Sequence, residues 1–264
     1  MNFIKHGAPP YKTALIHGGP GAAGELAPLA EELRGGIGIL EPLQTASSLD
    51  GQVEELRSVL ESECSGPAVL AGFSWGAWLS LILAARYPAL VKKLVLISSG
   101  PFEEKYAHSV SERRFARLSA AGRAEAGELL KLLEDPRASG RSGAFKRLEE
   151  ILSGTDAYDP EPVKRGMAGN LIMDVDIFQK VWKDAAEFRR GGGLIECAAR
   201  VKCPVTAIHG DYDPHPADGV RVPLNAAVKD FKFILLKECG HRPWIEKKAR
   251  DKFYEILKAE LSVS

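Results

Sequence analysis

Several things are scarce in this chain, and each scarcity removes a class of function. Its 264 residues hold four cysteines, Cys64, Cys197, Cys203 and Cys239. They form no Cys-x-x-Cys pair and no zinc-like Cys/His spacing, which argues against a finger or ribbon fold. They read as reduced thiols of a cytoplasmic protein. Net charge is also lacking, because Lys+Arg and Asp+Glu both total 35. Nucleic acid is therefore not the expected partner, since it calls for a basic face. Long-range steering of a charged substrate is not expected either. Long apolar runs are missing: the longest, Ala77 to Ala85, contains Ser80 and is too short to span a bilayer. No membrane partner is expected. The opening residues, MNFIKHGAPPYK, contain no apolar signal core.

What is present alternates. KTALIHGG reads as a short buried strand, GELAPLAEEL as a helix and GIGILEPL as a strand. Leu49 to Cys64 is helical, with Val53, Leu56, Val59 and Leu60 on one face. PAVLAGFS is a continuous apolar run, the pattern of a strand covered on both faces. WGAWLSLILAARYP is a helix stopped at Pro88, and VKKLVLISSG is a strand. Strand–helix alternation implies right-handed crossovers and a parallel sheet. From about Pro101 to Ala199 the alternation gives way to charged helical sequence: one helix or two over Glu112 to Leu133, another over Phe145 to Leu152, and a third over Val175 to Arg189 before a hinge-like GGG. The alternation then resumes with PVTAIHGDYD, a helix over Ala217 to Val228, FKFILLKECGH and a final helix striped by Ile245, Ala249, Phe253, Ile256 and Leu257. The expected organisation is an α/β core, 1–100 and 200–264, interrupted by a helical cap, 101–199. An insert at the C-terminal edge of a parallel sheet sits where such sheets bind ligands, so it is a candidate lid.

The chemistry-bearing stretch is GFSWGAW, Gly72 to Trp78. Serine between two glycines can be an ordinary turn. Here it follows a strand and opens a helix, the context of a nucleophile held on a tight elbow. A hydroxyl needs a base, and His241 in CGHRPWIE hangs from the end of the last strand at the same sheet edge. Asp213, in HGDYDPHP at the end of the preceding strand, is the preferred orienting acid because Pro214 turns the chain directly after it. Asp211 is the rival. The order Ser…Asp…His suits this fold. HGGPG, His17 to Gly21, lets backbone approach a ligand closely, and the amides of Gly19 and Trp75 are the candidate oxyanion donors. No Lys-Ser/Thr follows those glycines, so phosphate binding is not expected. The rings of Phe73, Trp75 and Trp78 suggest an apolar acyl or leaving-group site, with core packing as the alternative reading and the favoured one for Trp78.

In this order and spacing, HGGPG, GFSWGAW, HGDYDP and GHRPWIE resemble the α/β-hydrolase superfamily, nearest its proline iminopeptidase-like and C–C hydrolase-like group with a helical cap. The resemblance covers Lys12 to Arg86 and Val201 to Leu261. It implies Ser74 as nucleophile, Asp213 as acid, His241 as base, Gly19 and Trp75 as oxyanion donors, and no metal or organic cofactor. Family members begin with an antiparallel strand pair, whereas about ten residues precede HGGPG's strand here. The expected sheet is thus mostly parallel, with about six strands, the N-terminal pair missing, and the cap inserted before the penultimate strand. The expected function is hydrolysis of a small-molecule acyl compound, ester-like or amide, through an acyl-serine. The alternatives are a non-catalytic binding protein on the same fold, an iminopeptidase, a C–C bond hydrolase, or a lyase or acyltransferase. Proline iminopeptidases bind the substrate amine through cap carboxylates, and the insert here offers Glu103, Glu104, Glu149 and Glu150, but runs such as Arg113-Arg114 and Arg189-Arg190 offset them, and most of these charges read as solvated helix faces. Serine at the elbow disfavours an aspartate-nucleophile dehalogenase or epoxide hydrolase.

Overall fold

A computed structural model describes residues 2–135, 137–162 and 174–262. Among the described residues seven strands are formed: β1 (Phe3–His6), β2 (Tyr11–Ile16), β3 (Gly38–Pro42), β4 (Ala68–Phe73), β5 (Val91–Ile97), β6 (Val205–Gly210) and β7 (Phe231–Leu236). They make one sheet in the order β1-β3-β2-β4-β5-β6-β7. From β3 to β7 every pairing is parallel, and β1 alone runs antiparallel, against β3. The sheet therefore has one strand more than expected. The few residues ahead of β2 supply it, with Phe3 opposite Pro42 and His6 opposite Ile39. This strand is short and half exposed, a blunt edge that limits further pairing.

The helices between β1 and β5 are α1 (Ala27–Leu33), α2 (Leu49–Glu63) and α3 (Trp75–Arg86). Between β5 and β6 lie α4 (Glu104–Arg117), α5 (Ala120–Glu134), α6 (Arg141–Thr155), α7 (Val175–Arg190) and α8 (Gly193–Arg200). The charged stretch after Glu112 thus belongs to two helices, split at Ser119, which caps α5 by accepting from Gly122 N–H. After β6 come α9 (Asp218–Ala227) and α10 (Arg250–Leu261). Of the expected insert, residues 136 and 163–173 lie outside the described ones.

Two apolar layers sandwich the sheet. One collects residues of α2, α3, α8 and α9 together with Val181 and Ala185 of α7. The other collects α1, α10 and Trp244. The central strands are covered on both sides, which is why β4 reads as an unbroken apolar run and is buried along its whole length. The insert is mixed in its packing. Residues of α7 and α8 enter the core layer on the α3 side, whereas α4 buries no residue fully and α5 only Ala126. The three rings Phe73, Trp75 and Trp78 are each 1% exposed. Trp75 Nε1 donates to Gln52, and Trp78 Nε1 donates to the Gly100 carbonyl. All three are packing residues, so the apolar-site reading does not hold for Trp75 or Trp78. Of the three rings, that of Phe73 packs against His241, at 4.8 Å between centroids. No described helix is long and apolar enough to cross a membrane.

Candidate active site

Strand β4 passes into α3 through Ser74, whose backbone has φ 51° and ψ −111°. A non-glycine residue in such a conformation is strained, typically by about 1–3 kcal/mol. Hydrogen bonds hold it on both sides: Ser74 N–H donates to the Ile97 carbonyl at 2.9 Å, and its own carbonyl accepts from Ala77 N–H at 3.1 Å. The flanking glycines have no room for side chains. A Cβ on Gly72 would run into the Gly76 carbonyl, and one on Gly76 into the carbonyls at the end of β2, Ile16 and His17. The HGGPG segment therefore crosses directly beside the start of α3. The Ser74 side chain does not cap that helix, so its hydroxyl is not spent on the first turn.

The glycine loop bends as expected. Gly19 has φ 42° and Gly21 φ 82°. Residues Gly19 to Gly24 also have the G-x-G-x-x-G spacing of a dinucleotide loop. That motif needs its helix to open on the glycines. Here successive turns, Ala22 to Gly19, Glu25 to Ala22 and Ala27 to Gly24, intervene before α1 begins at Ala27. A Cβ on Gly18 would lie 2.6 Å from the Phe73 ring, and that ring is 4.8 Å from the His241 ring. The glycine loop, the elbow and the histidine loop thus meet around Phe73.

His241 Nδ1 and Asp213 Oδ2 are 2.8 Å apart. A carboxylate only accepts, so Nδ1 carries a proton, and in the neutral ring Nε2 keeps its lone pair. Asp213 is buried and surrounded by donors. Its Oδ1 accepts the His215 main-chain N–H at 2.9 Å and His215 Nδ1–H at 2.8 Å. His209 Nε2 lies 3.6 Å from Oδ2 and donates to the His215 carbonyl at 2.9 Å. Burial pushes the Asp213 pKa up, but His241, His215 and His209 pull it down and prevail, holding it well below the usual carboxylate range. Burial drives His215 the other way, to about 4 despite the pull of Asp213, so it is neutral at pH 7. Asp211 faces elsewhere: it accepts from Cys239 N–H at 3.3 Å and neighbours Lys237. Asp213, Asp211's former rival, is the carboxylate beside His241.

Ligand-type atoms of Asp213, His215 and His241 lie within 4.8 Å of one another. Both imidazoles already donate through Nδ1 to the same carboxylate, an arrangement for proton chemistry rather than for gripping an ion.

The insert reaches this site. His241 N–H donates to the Asp156 carbonyl at 2.7 Å, just past α6. Asp156 in turn receives a two-pronged ion pair from Arg114 of α4, at 2.8 and 2.6 Å. Glu246, fully buried, accepts from Gly240, Tyr158 and Asp159 main-chain N–H groups at 2.8 to 2.9 Å. Of the insert carboxyls singled out in the sequence, Glu103, Glu104 and Glu150 pair with Lys105, Arg189 and Arg147. Glu149 differs: burial raises its pKa, and Arg114, Arg242, Asp156 and Glu25 are its charged neighbours. Sequence reading passed over His215, Asp156 and Glu246. Only His215 left a local signal, a histidine two residues beyond the acid in DYDPHP.

The sequence profile of the Alpha/beta hydrolase family matches residues 14–255. The chain belongs to that family. Among alpha/beta hydrolases, it is similar to a pimeloyl-[acyl-carrier protein] methyl ester esterase of Nitrosospira multiformis, 24% identical over 74% of this chain and 68% of the relative. It is also similar to Lipase 3 of a Moraxella species, 22% identical over 88% of this chain and 72% of the relative. A crystal structure of a proline iminopeptidase from Mycobacterium smegmatis superposes with a TM-score of 0.65 at 19% identity, covering 98% of this chain and 93% of that one. At that identity the likeness concerns the fold of this alpha/beta hydrolase.

Proposed function

We propose that this alpha/beta hydrolase is a serine hydrolase that cleaves a small-molecule acyl ester through an acyl-serine intermediate. One observation carries the reading: the 2.8 Å bond from His241 Nδ1 to a buried Asp213, in a histidine loop that touches Phe73, the residue before the strained Ser74. In this reading Asp213 fixes the imidazole tautomer, and His241 Nε2 takes the Ser74 proton as the hydroxyl attacks the carbonyl. The Gly19 and Trp75 amides hold the oxyanion. Trp75 is the first residue of α3, so its N–H has no acceptor within the helix, and the helix dipole adds to the pull on negative charge. His241 then protonates the leaving group and later activates water. The segment 101–199 serves as the cap, with its Asp156 holding the histidine loop. The four free thiols suit a reducing cytoplasm. An ester is favoured over a peptide because the curated relatives are named as an esterase and a lipase, and because Arg114 and Arg242 flank Glu149, the one of the four singled-out carboxyls that makes no ion pair among the described residues.

The test is labelling with a fluorophosphonate probe, beside turnover of p-nitrophenyl esters of graded chain length and of aminoacyl-naphthylamides. Wild type is expected to label and to hydrolyse short esters, and Ser74→Ala to do neither. A folded wild type that stays unlabelled removes the serine-hydrolase reading. A preference for the prolyl naphthylamide replaces the ester by a peptide.

A further inference from the structure

Asp213 serves two imidazoles, and the mechanism proposed above uses one. His215 reaches the other oxygen of the carboxylate. Its main-chain N–H and its Nδ1–H both reach Oδ1, at 2.9 and 2.8 Å, while Oδ2 is left to His241. The two rings pack against each other, with centroids 4.5 Å apart and a tilt of 32°. His215 is itself anchored, because its carbonyl accepts from His209 Nε2 at 2.9 Å.

A carboxylate on a single bond can rotate, and each rotation would carry Oδ2 away from His241. Two donors converging on Oδ1 remove that freedom. They also satisfy the oxygen that His241 does not use, which a fully buried acid requires. We infer that His215 is a positioning residue, a second imidazole that clamps Asp213 through Oδ1 so that Oδ2 stays aligned with His241 Nδ1. The inference rests on the proposed roles of Asp213 and His241 and adds a residue to them.

The clamp also bears on the basicity of His241. The charged and titratable groups around the His215 ring are Asp213 in its own loop, His209 at the end of β6, His241 after β7, and Arg114 from α4, which is paired with Asp156. A neutral imidazole donating to Oδ1 draws negative charge away from Oδ2. Without that donor, more of the charge faces His241 and favours its protonated form.

Two variants and wild type test this. His215→Leu keeps the volume and loses the donor. His215→Asn returns an N–H at nearly the Nδ1 position. Wild type is the third arm. On a p-nitrophenyl ester, His215→Leu is expected to lower kcat by about tenfold or more with KM little changed, the signature of lost transition-state alignment. The acidic limb of its kcat/KM profile moves to higher pH, by about half a unit, and His215→Asn restores both. A folded, phosphonate-labelled His215→Leu with wild-type kcat and an unmoved limb overturns the inference. A readout without turnover separates this from failure of the hydrolase reading. Histidine-labelled protein followed by NMR titration reports the protonation of His241 directly. If wild type is inert to the phosphonate but the His241 titration moves in His215→Leu and returns in His215→Asn, the clamp stands and the hydrolase reading falls. If the titration does not move, the clamp falls.

Discussion

The main-chain N–H of His241 donates to the main-chain carbonyl of Asp156 at 2.7 Å. The loop that ends the last strand is thereby tied to the end of α6, some eighty residues earlier. The tie is reinforced from Pro160 to Lys247: Glu161 N–H donates to the Ile245 carbonyl at 2.7 Å, and Lys247 N–H to the Asp159 carbonyl at 3.1 Å. The insert thus supplies part of the scaffold that holds the histidine.

Glu246 is the hub of that tie, so its replacement is the first expected outcome. Its two carboxyl oxygens accept three main-chain N–H groups inside a fully buried space. Glu246→Ala leaves three buried donors without partners and is expected to cost about 3 kcal/mol or more in stability. Glu246→Gln keeps one acceptor and is expected to cost less. Urea denaturation midpoints of the two variants and wild type check the order. Equal midpoints for Glu246→Ala and wild type would show that the tie contributes nothing.

The two aspartates of HGDYDPHP give the second. Asp213→Asn preserves the shape and reverses the hydrogen-bond demand on His241 Nδ1, forcing the wrong tautomer. In a proposed acid–base pair of this kind, kcat is expected to fall by about 10⁴. Asp211→Asn disturbs a turn that accepts Cys239 N–H, and kcat is expected to stay within about tenfold of wild type. Esterase assays of both decide between them. The reverse ranking would move the acid to Asp211.

Much of this could be read along the chain. The elbow announces itself because strand, glycine, serine, glycine and helix are neighbours in sequence, and the structure finds the collisions that require Gly72 and Gly76. His241 and Asp213 follow because strand ends on one edge of a parallel sheet converge whatever lies between them. Strand β1 was not legible. Its four residues, FIKH, are half exposed at an edge, so no apolar alternation marks them, and only their pairing with β3 makes them a strand. Asp156 was hidden for another reason. It acts through a main-chain carbonyl, which every residue has, and its partner is far away in sequence. His215 was in plain view, yet a histidine in a turn carries no sign of which carboxylate oxygen it will reach.

Acid should unfold this protein by way of its buried imidazoles. The folded-state pKa of His215 is near 4, below its ordinary value of 6.5, and burial lowers His17 in the same direction. Between those values the unfolded chain takes up a proton that the folded chain refuses. Stability is therefore full above pH 6.5 and falls as the pH drops toward 4, by at most about 3 kcal/mol for His215. Asp213, depressed well below 3.8, stays ionised in the folded chain throughout this window, and it steepens the decline only at the acid end, where the unfolded carboxyl begins to take up a proton. Glu149, raised by burial, opposes the trend just above its usual range. Denaturation midpoints from pH 7.5 to 4.5 are expected to decline, and to decline less for His215→Leu. A variant that keeps the wild-type slope would assign the acid sensitivity to other groups.

The elbow itself sets the last expectation. Gly76 sits in the first turn of α3, where alanine would normally stabilise a helix by nearly 1 kcal/mol over glycine. Here the added methyl would press into the Ile16 and His17 carbonyls, backbone of β2 that cannot swing aside as a side chain can. Steric conflict of this kind costs about 1–3 kcal/mol or more, so Gly76→Ala is expected to destabilise although propensity favours it. Relief would come by shifting α3 away from β2, and that shift moves the Trp75 N–H relative to Gly19. Loss of esterase turnover should therefore exceed loss of stability, with kcat falling even at temperatures where circular dichroism reports a folded chain. Gly143→Ala is the control, because this glycine lies in α6 with nothing within 4 Å of an added Cβ. It is expected to be neutral or slightly stabilising, with turnover unchanged. If both variants behave alike in melting temperature and in kcat, the close passage of β2 over the elbow has no functional weight.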